Sequence, residues 1–221
     1  MDIIYAKTSD EFIRTSVQWS TDAIHQATHN GKTALIGLSG GSTPQPIYQL
    51  LAQDASIPWD RVQFFLVDER YVPADHKASN QRMIRSTLLT GAAARSEFLA
   101  PDTSLPLVQC IDSYAGLLQG LKPDLVILGM GPDAHVASLF PPLEPEAFGP
   151  KNVIHTVTEI FDVKDRISVT LPILECSVKR LFLITGKEKK TLLEKMQETQ
   201  DVTMTPAVAL FDDRTTWIVG P

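Results

Sequence analysis

The sequence predicts an α/β fold: one domain, residues 1–221, built on a doubly wound, mainly parallel sheet of Rossmann-like type with helices on both faces. Three observations carry this expectation. Runs such as Ala34-Leu-Ile-Gly-Leu38 and Leu125-Val-Ile-Leu128 are apolar throughout rather than alternating, as strands buried on both faces are. Segments of helix length separate the runs, so strand and helix alternate along the chain. Glycine or polar clusters follow four runs directly, at residues 37–43, 68–70, 129–135 and 186–189, where sheets of this kind present their ligand loops.

Taken in order, residues 3–6 read as a short strand. Ser9 or Asp10 caps a helix running to about Asn30, with Gly31 as its stop. Residues 33–38 form a buried strand. A glycine loop then leads to a helix over 44–53, with Thr43 as its cap and Pro44 at the first helical position. The strand over 62–67 ends in Asp68-Glu-Arg70, and Ser79 caps a helix to 89. Residues 92–110 read as mostly irregular. A helix over 111–121 precedes the strand Leu125–Leu128. The proline-rich stretch 140–150 cannot be regular and is expected to wall or cover the site. Residues 153–158 and 167–171 read as strands, as does 181–185, which leads into a helix over 187–197. Residues 216–219 form the last strand.

At 221 residues, 43% apolar and 21% charged, the chain is long enough to bury one proper core. A net charge of −6 and a pI near 5.3 argue against nucleic acid or an anionic membrane as the main partner. An anionic substrate therefore needs a local cluster of cations. Cys110 and Cys176 lie far apart without metal-type spacing and read as reduced thiols of a cytoplasmic protein. The first apolar stretch is too short for a signal peptide, and no later run suits a bilayer.

The strongest chemical signal is Asp124-Leu-Val-Ile-Leu-Gly-Met-Gly-Pro-Asp-Ala-His135. Asp133 and His135 follow a strand end, where a histidine acts as a general acid or base and a carboxylate fixes its tautomer. Such a histidine also occurs as a merely hydrogen-bonded loop residue. Residues 129–134 match the dinucleotide fingerprint G-x-G-x-x-A as well. However, Asp133 would then face a pyrophosphate, Pro132 removes a donor N–H, and no acidic strand end follows at the usual distance.

Ser39, Gly40, Gly41, Ser42 and Thr43 join a strand to a helix. Their glycines permit close backbone approach and their N–H groups suit an anion, although a tight turn alone would also need glycine. No Gly-Lys-Ser/Thr follows, so a sugar phosphate fits this loop better than a nucleotide. Gly37-Leu-Ser-Gly-Gly41 also reads G-x-S-x-G with Ser39 as nucleophile, but only one short strand precedes it, whereas the elbow follows a central strand late in the sheet. Asp68-Glu-Arg70 offers a substrate contact at Asp68 and, at Arg70, a guanidinium for an anion or an oxyanion; a structural ion pair is the alternative. Lys187 and Lys190 read as solvated. An anion near Lys189 would make sense of a cation in the first turn of a helix. Arg166 opens a strand as a further cation. His25 and His29, at i and i+4 with no third ligand, read as surface residues.

Together these residues resemble the 6-phosphogluconolactonases, within the wider group that contains glucosamine-6-phosphate deaminases. The likeness covers nearly the whole chain. It rests on residues 37–44, on 67–73 with Ser79-Asn80, on 129–141, on Arg166 with Thr170-Leu-Pro172, and on 185–189. It implies that His135 is the base with Asp133 assisting, and that residues 39–43, Arg166 and Lys189 hold a phosphate. It further implies a sugar-phosphate lactone as the substrate, no metal and no organic cofactor, and a step of the oxidative pentose phosphate pathway. Arg70 would stabilise the oxyanion or pair with Asp133. We expect a monomer, at most a weak homodimer. Ala134 and Val136 stand where the family usually has Gly and Thr, and Ala134 disfavours positive φ. Against the deaminase branch, the chain reads Asp-Glu-Arg at 68–70 and has Phe140 where the deaminase glutamate falls. A non-catalytic sugar-phosphate sensor would need a DNA-binding segment, and no basic helix-turn-helix precedes residue 33.

Overall fold

The computed structural model describes all 221 residues. Seven parallel strands form the main sheet: β1 (Asp2–Tyr5), β2 (Ala34–Leu38), β3 (Val62–Leu66), β5 (Glu97–Leu99), β6 (Leu125–Leu128), β9 (Lys179–Thr185) and β10 (Thr215–Gly220), in the order β1-β10-β9-β6-β2-β3-β5. A second sheet of three antiparallel strands, β4 (Asp68–Arg70), β8 (Asp165–Val169) and β7 (Val153–Val157), stands apart from it. The helices are α1 (Ser9–Ala27), α2 (Gln45–Leu51), α3 (Asn80–Thr87), α4 (Leu107–Leu117), α5 (Leu171–Glu175) and α6 (Lys187–Met196).

Continuous apolar runs mean that both faces of a strand are covered, and the core divides accordingly. Ile36, Phe64, Ile127 and Leu183 pack on one side with residues of α1, α2 and α3. Their chain neighbours Leu35, Phe65, Val126, Leu128 and Ile184 pack on the other with residues of α4, α5, α6 and the small sheet. Cutting Ile36 or Ile127, both almost fully buried, back to alanine would cost about 2–5 kcal/mol. No helix is long and apolar enough to cross a membrane.

Several boundaries differ from the sequence reading. Thr8, not Ser9 or Asp10, caps α1 by accepting the Glu11 N–H at 3.1 Å. Pro44, not Thr43, is the cap residue of α2, with no side-chain cap bond. Residues 68–70 form a strand rather than a loop, because Val67 carries the chain out of the main sheet and into the small one. β7 and β8 pair antiparallel, and β7 buries Val153 and Ile154 while exposing His155 and Val157, as a half-solvated sheet allows. Within the stretch read as irregular, β5 is a three-residue edge strand and α4 starts at Leu107 behind Pro106. Residue 171 ends no strand but opens α5, where Pro172 suits an early helical position.

Candidate active site

Parallel strands deliver their following loops to one edge of the sheet, and the loops after β2, β6 and β9 meet there with β4 and β8. They enclose a cleft of about 250 Å³. Ser39, Gly40, Gly41, Ser42 and Thr43 line one part of it. Asp68, Arg70, Arg166, Lys189 and His135 line the rest. Of the residues expected from sequence to form the site, only Asp133 does not line the cleft; it stands behind His135. Its Oδ1 lies 2.5 Å from Nδ1 of His135 and also accepts the His135 backbone N–H at 3.3 Å. An ionised Asp133 keeps the proton on Nδ1 and leaves Nε2 with a free lone pair. Burial works to raise the Asp133 pKa, but the hydrogen bonds and charge of His135 outweigh it and hold the carboxyl below its ordinary value.

The histidine loop is bent sharply. Ala134 and Ala137 both take positive φ, 63° and 52°. The alanine at the family's usual glycine position thus adopts the left-handed conformation that glycine would have taken freely, at about 1–2 kcal/mol. Backbone bonds hold it there: Gly131 N–H to His135 C=O at 3.0 Å, Ala134 N–H to Gly131 C=O at 3.2 Å, and Ala207 N–H to Ala134 C=O at 3.1 Å. Gly131 is required for another reason, since a Cβ there would lie 2.0 Å from His135 Nδ1. No helix follows this loop, so the dinucleotide fingerprint lacks its helix N-terminus.

The cradle opposite is built differently. Its one positive φ, 105°, falls on Gly41. Ser39 is anchored by its N–H to Ile127 C=O at 3.0 Å and by Tyr48 Oη donating to its C=O at 3.0 Å. A Cβ on Gly40 would come within 1.8 Å of Asn80 Oδ1. The Ser39 hydroxyl makes no hydrogen bond to His135, whose Nδ1 is taken by Asp133. A nucleophile elbow needs that serine–base contact.

Three cations face the cleft. Arg70 and Arg166 sit directly opposite each other across β4 and β8. Arg166, 5% exposed, donates from Nε to Val163 C=O at 2.9 Å, and Arg70 donates to Ala78 C=O at 2.7 Å. Neither pairs with a carboxylate, and nor does Lys189, whereas Lys164, Arg180 and Arg214 all do. Arg70 therefore does not pair with Asp133, one of its two expected roles. Burial, and then the charge of Arg70, depress the Arg166 pKa; burial alone depresses that of Lys189. Like charges placed opposite each other in a sheet destabilise it, and an anion between them removes the penalty. Lys187 and Lys190 are exposed, as expected.

Glu69 is structural. Its buried carboxylate accepts the N–H groups of Asn80 and Gln81 at 2.7 Å each and so caps α3. Asp68 carries a charge that repels phosphate. Its Oδ2 accepts Ser138 Oγ at 2.7 Å and its Oδ1 accepts Asn80 Nδ2 at 3.2 Å. Asn80, Ser138 and Phe161 line the cleft without having been singled out as site residues. Ser79-Asn80 belonged to a motif, but nothing in its spacing pointed the amide at Gly40. Phe161 lies in the turn between β7 and β8, where no pattern marks it. Its ring stands 5.7 Å from His135 and 5.4 Å from Arg166 Cζ. Phe140, from the proline-rich stretch, packs 4.7 Å from His135, so that stretch walls the histidine and the β7–β8 turn contributes the exposed rim.

Residues 7–218 match the family model described as glucosamine-6-phosphate isomerases/6-phosphogluconolactonase. A 6-phosphogluconolactonase of Thermotoga maritima is 40% identical over 190 residues, 83% of this chain and 82% of that protein. One of a Nostoc species is 36% identical over 172 residues, 73% of this chain and 70% of the relative. The crystal structure of a 6-phosphogluconolactonase from Shewanella baltica superposes with a TM-score of 0.92 at 26% identity, covering 100% of this chain and 97% of that one.

Proposed function

The chain belongs to the glucosamine-6-phosphate isomerase/6-phosphogluconolactonase family, and from that premise we propose that it hydrolyses 6-phospho-D-glucono-1,5-lactone to 6-phosphogluconate. The observation that carries this reading is the His135–Asp133 pair beside a cleft whose cations Arg70, Arg166 and Lys189 lack carboxylate partners. The lactone is a neutral ring bearing a phosphate, so it needs an anion site and a base a short distance apart. The cradle with Arg166 and Lys189 holds the phosphate. Nε2 of His135 takes a proton from water as the water oxygen bonds to C1. The carbonyl π electrons become an oxyanion, which Arg70 stabilises. As the intermediate collapses, the C1–ring-oxygen bond breaks and the imidazolium returns its proton to the departing oxygen. Water is consumed, the ring opens, and the enzyme regains its starting state. Positioned acid–base help of this kind is worth on the order of 10²–10⁴ in rate.

We place the step in the oxidative pentose phosphate pathway of the cytosol, on one small-molecule substrate and with no metal or organic cofactor. Fresh lactone should lose its ring in the presence of purified protein far faster than in buffer, with acid release followed in a pH-stat and EDTA making no difference. No acceleration over buffer, or an activity that EDTA abolishes and zinc restores, would refute this account.

A further inference from the structure

Ser138 lies three residues beyond His135 and is almost fully buried, and each of its polar groups is held by a different strand of the small sheet. Its N–H donates to Ser168 Oγ of β8 at 3.1 Å, its C=O accepts Thr156 Oγ1 of β7 at 2.6 Å, and its hydroxyl donates to Asp68 Oδ2 of β4 at 2.7 Å. The residues just before it are the ones that resist their conformation, Ala134 and Ala137, both left-handed. Backbone strain of this kind persists only where the surroundings over-determine it. Asp68 reaches the other way as well: Asn80 Nδ2 donates to both its C=O and its Oδ1, and the Asn80 amide rests against Gly40 of the cradle. A line of contacts therefore joins the phosphate cradle to the histidine loop through Gly40, Asn80, Asp68 and Ser138.

We propose that Asp68 and Ser138 are positioning residues, the Asp68–Ser138 hydrogen bond pinning the strained histidine loop to the small sheet and fixing His135 at the right distance from the cradle. Nothing in this role touches the phosphate. Losing the bond lets the loop relax and His135 drift, while the anion site keeps its cations. The inference rests on the lactonase reading, and the test separates the two. In Ser138→Ala, kcat should fall about tenfold to a hundredfold, the worth of one hydrogen bond to a charged group. KM and inhibition by inorganic phosphate should stay within about twofold. Thr156→Val, which removes a second grip on Ser138 from a half-buried position, should show the same kcat-only loss in smaller measure. Asp68→Asn combined with Ser138→Ala should be little worse than the more damaged single variant, because interacting residues are not additive. Unchanged kcat in Ser138→Ala and Thr156→Val, KM rising in step with falling kcat, or fully multiplicative losses in the double variant would each overturn the inference while an active wild type leaves the lactonase reading standing. A wild-type protein without turnover would sink both.

Discussion

Two loops face each other across the cleft, and they obtain their shapes by opposite means. The cradle over residues 39–43 places its left-handed residue on Gly41, which adopts that conformation at no steric cost. The histidine loop places its left-handed residues on Ala134 and Ala137 and depends on hydrogen bonds from outside itself to stay bent. On the function proposed above, the cradle only has to follow a phosphate and can be intrinsically relaxed. A loop that has to hold one nitrogen within hydrogen-bond reach of a water gains from being forced into place, because a displacement of an ångström at the reacting atoms costs far more rate than it costs binding.

The sharpest way to break this contrast is to remove the base. His135→Asn should lower kcat by about 10²–10⁴ and leave KM nearly unchanged. Ser39→Ala, in the opposite loop, should raise KM modestly; loss of turnover there, or an acyl adduct on Ser39 by mass spectrometry, would move the chemistry to the cradle. Next in size, Arg166→Ala or Lys189→Ala should raise KM for the phosphorylated lactone about tenfold to a hundredfold and leave unphosphorylated gluconolactone much less affected. Equal effects on both substrates would make these cations structural.

Asp133→Asn should cost about tenfold in kcat by loosening control of the His135 tautomer. It also carries a pH signature. A carboxyl held below its ordinary value contributes stability above the unfolded pKa, about 3.9, and loses it as pH falls through the lower folded value. The stability difference between wild type and Asp133→Asn should therefore shrink below about pH 4; a difference that stays constant from pH 6 to pH 2 would show that the carboxylate gains nothing from His135. The smallest effect is expected at Ala134→Gly. Relief of about 1 kcal/mol of left-handed strain opposes the loss of a buried methyl worth about 0.8 kcal/mol. Urea unfolding should place the variant within about 1 kcal/mol of wild type. A loss beyond about 2 kcal/mol would mean that Ala134 is not strained.

Much of the main sheet was legible because its signal is local: a strand buried on both faces must be apolar at every position, and β6 was read at its observed bounds, Leu125–Leu128. In the small sheet β7 and β8 were read as strands, but β4 and its pairing were not, because β4 has three residues and its partner β8 lies about a hundred positions away, a pairing that no local pattern encodes. The candidate site divided in the same way. Glycines, cations and the Asp133–His135 spacing announced themselves. Asn80, Ser138 and Phe161 matter through which atoms they meet, and those contacts exist only after folding. Asp68 illustrates the boundary: its position at a strand end pointed to the cleft, but its hydrogen bonds to Ser138 and Asn80 could not be read from spacing.

The pairing of β1 with β10 has a consequence for how the molecule comes into being. Residues 2–5 are made long before residues 216–219, their only partner in the sheet, and β9 and β10 fill the space between β6 and β1. On the ribosome, the cradle and His135 emerge well before Arg166, Lys189 and the strand that closes the sheet. A partly synthesised chain therefore holds the histidine loop without these cations and exposes an unpaired edge at β6, where β9 has yet to dock. Such long-range pairings fold slowly, and their unfinished edges are open to aggregation. Between synthesis of β6 and synthesis of β9 that edge has no partner from its own chain.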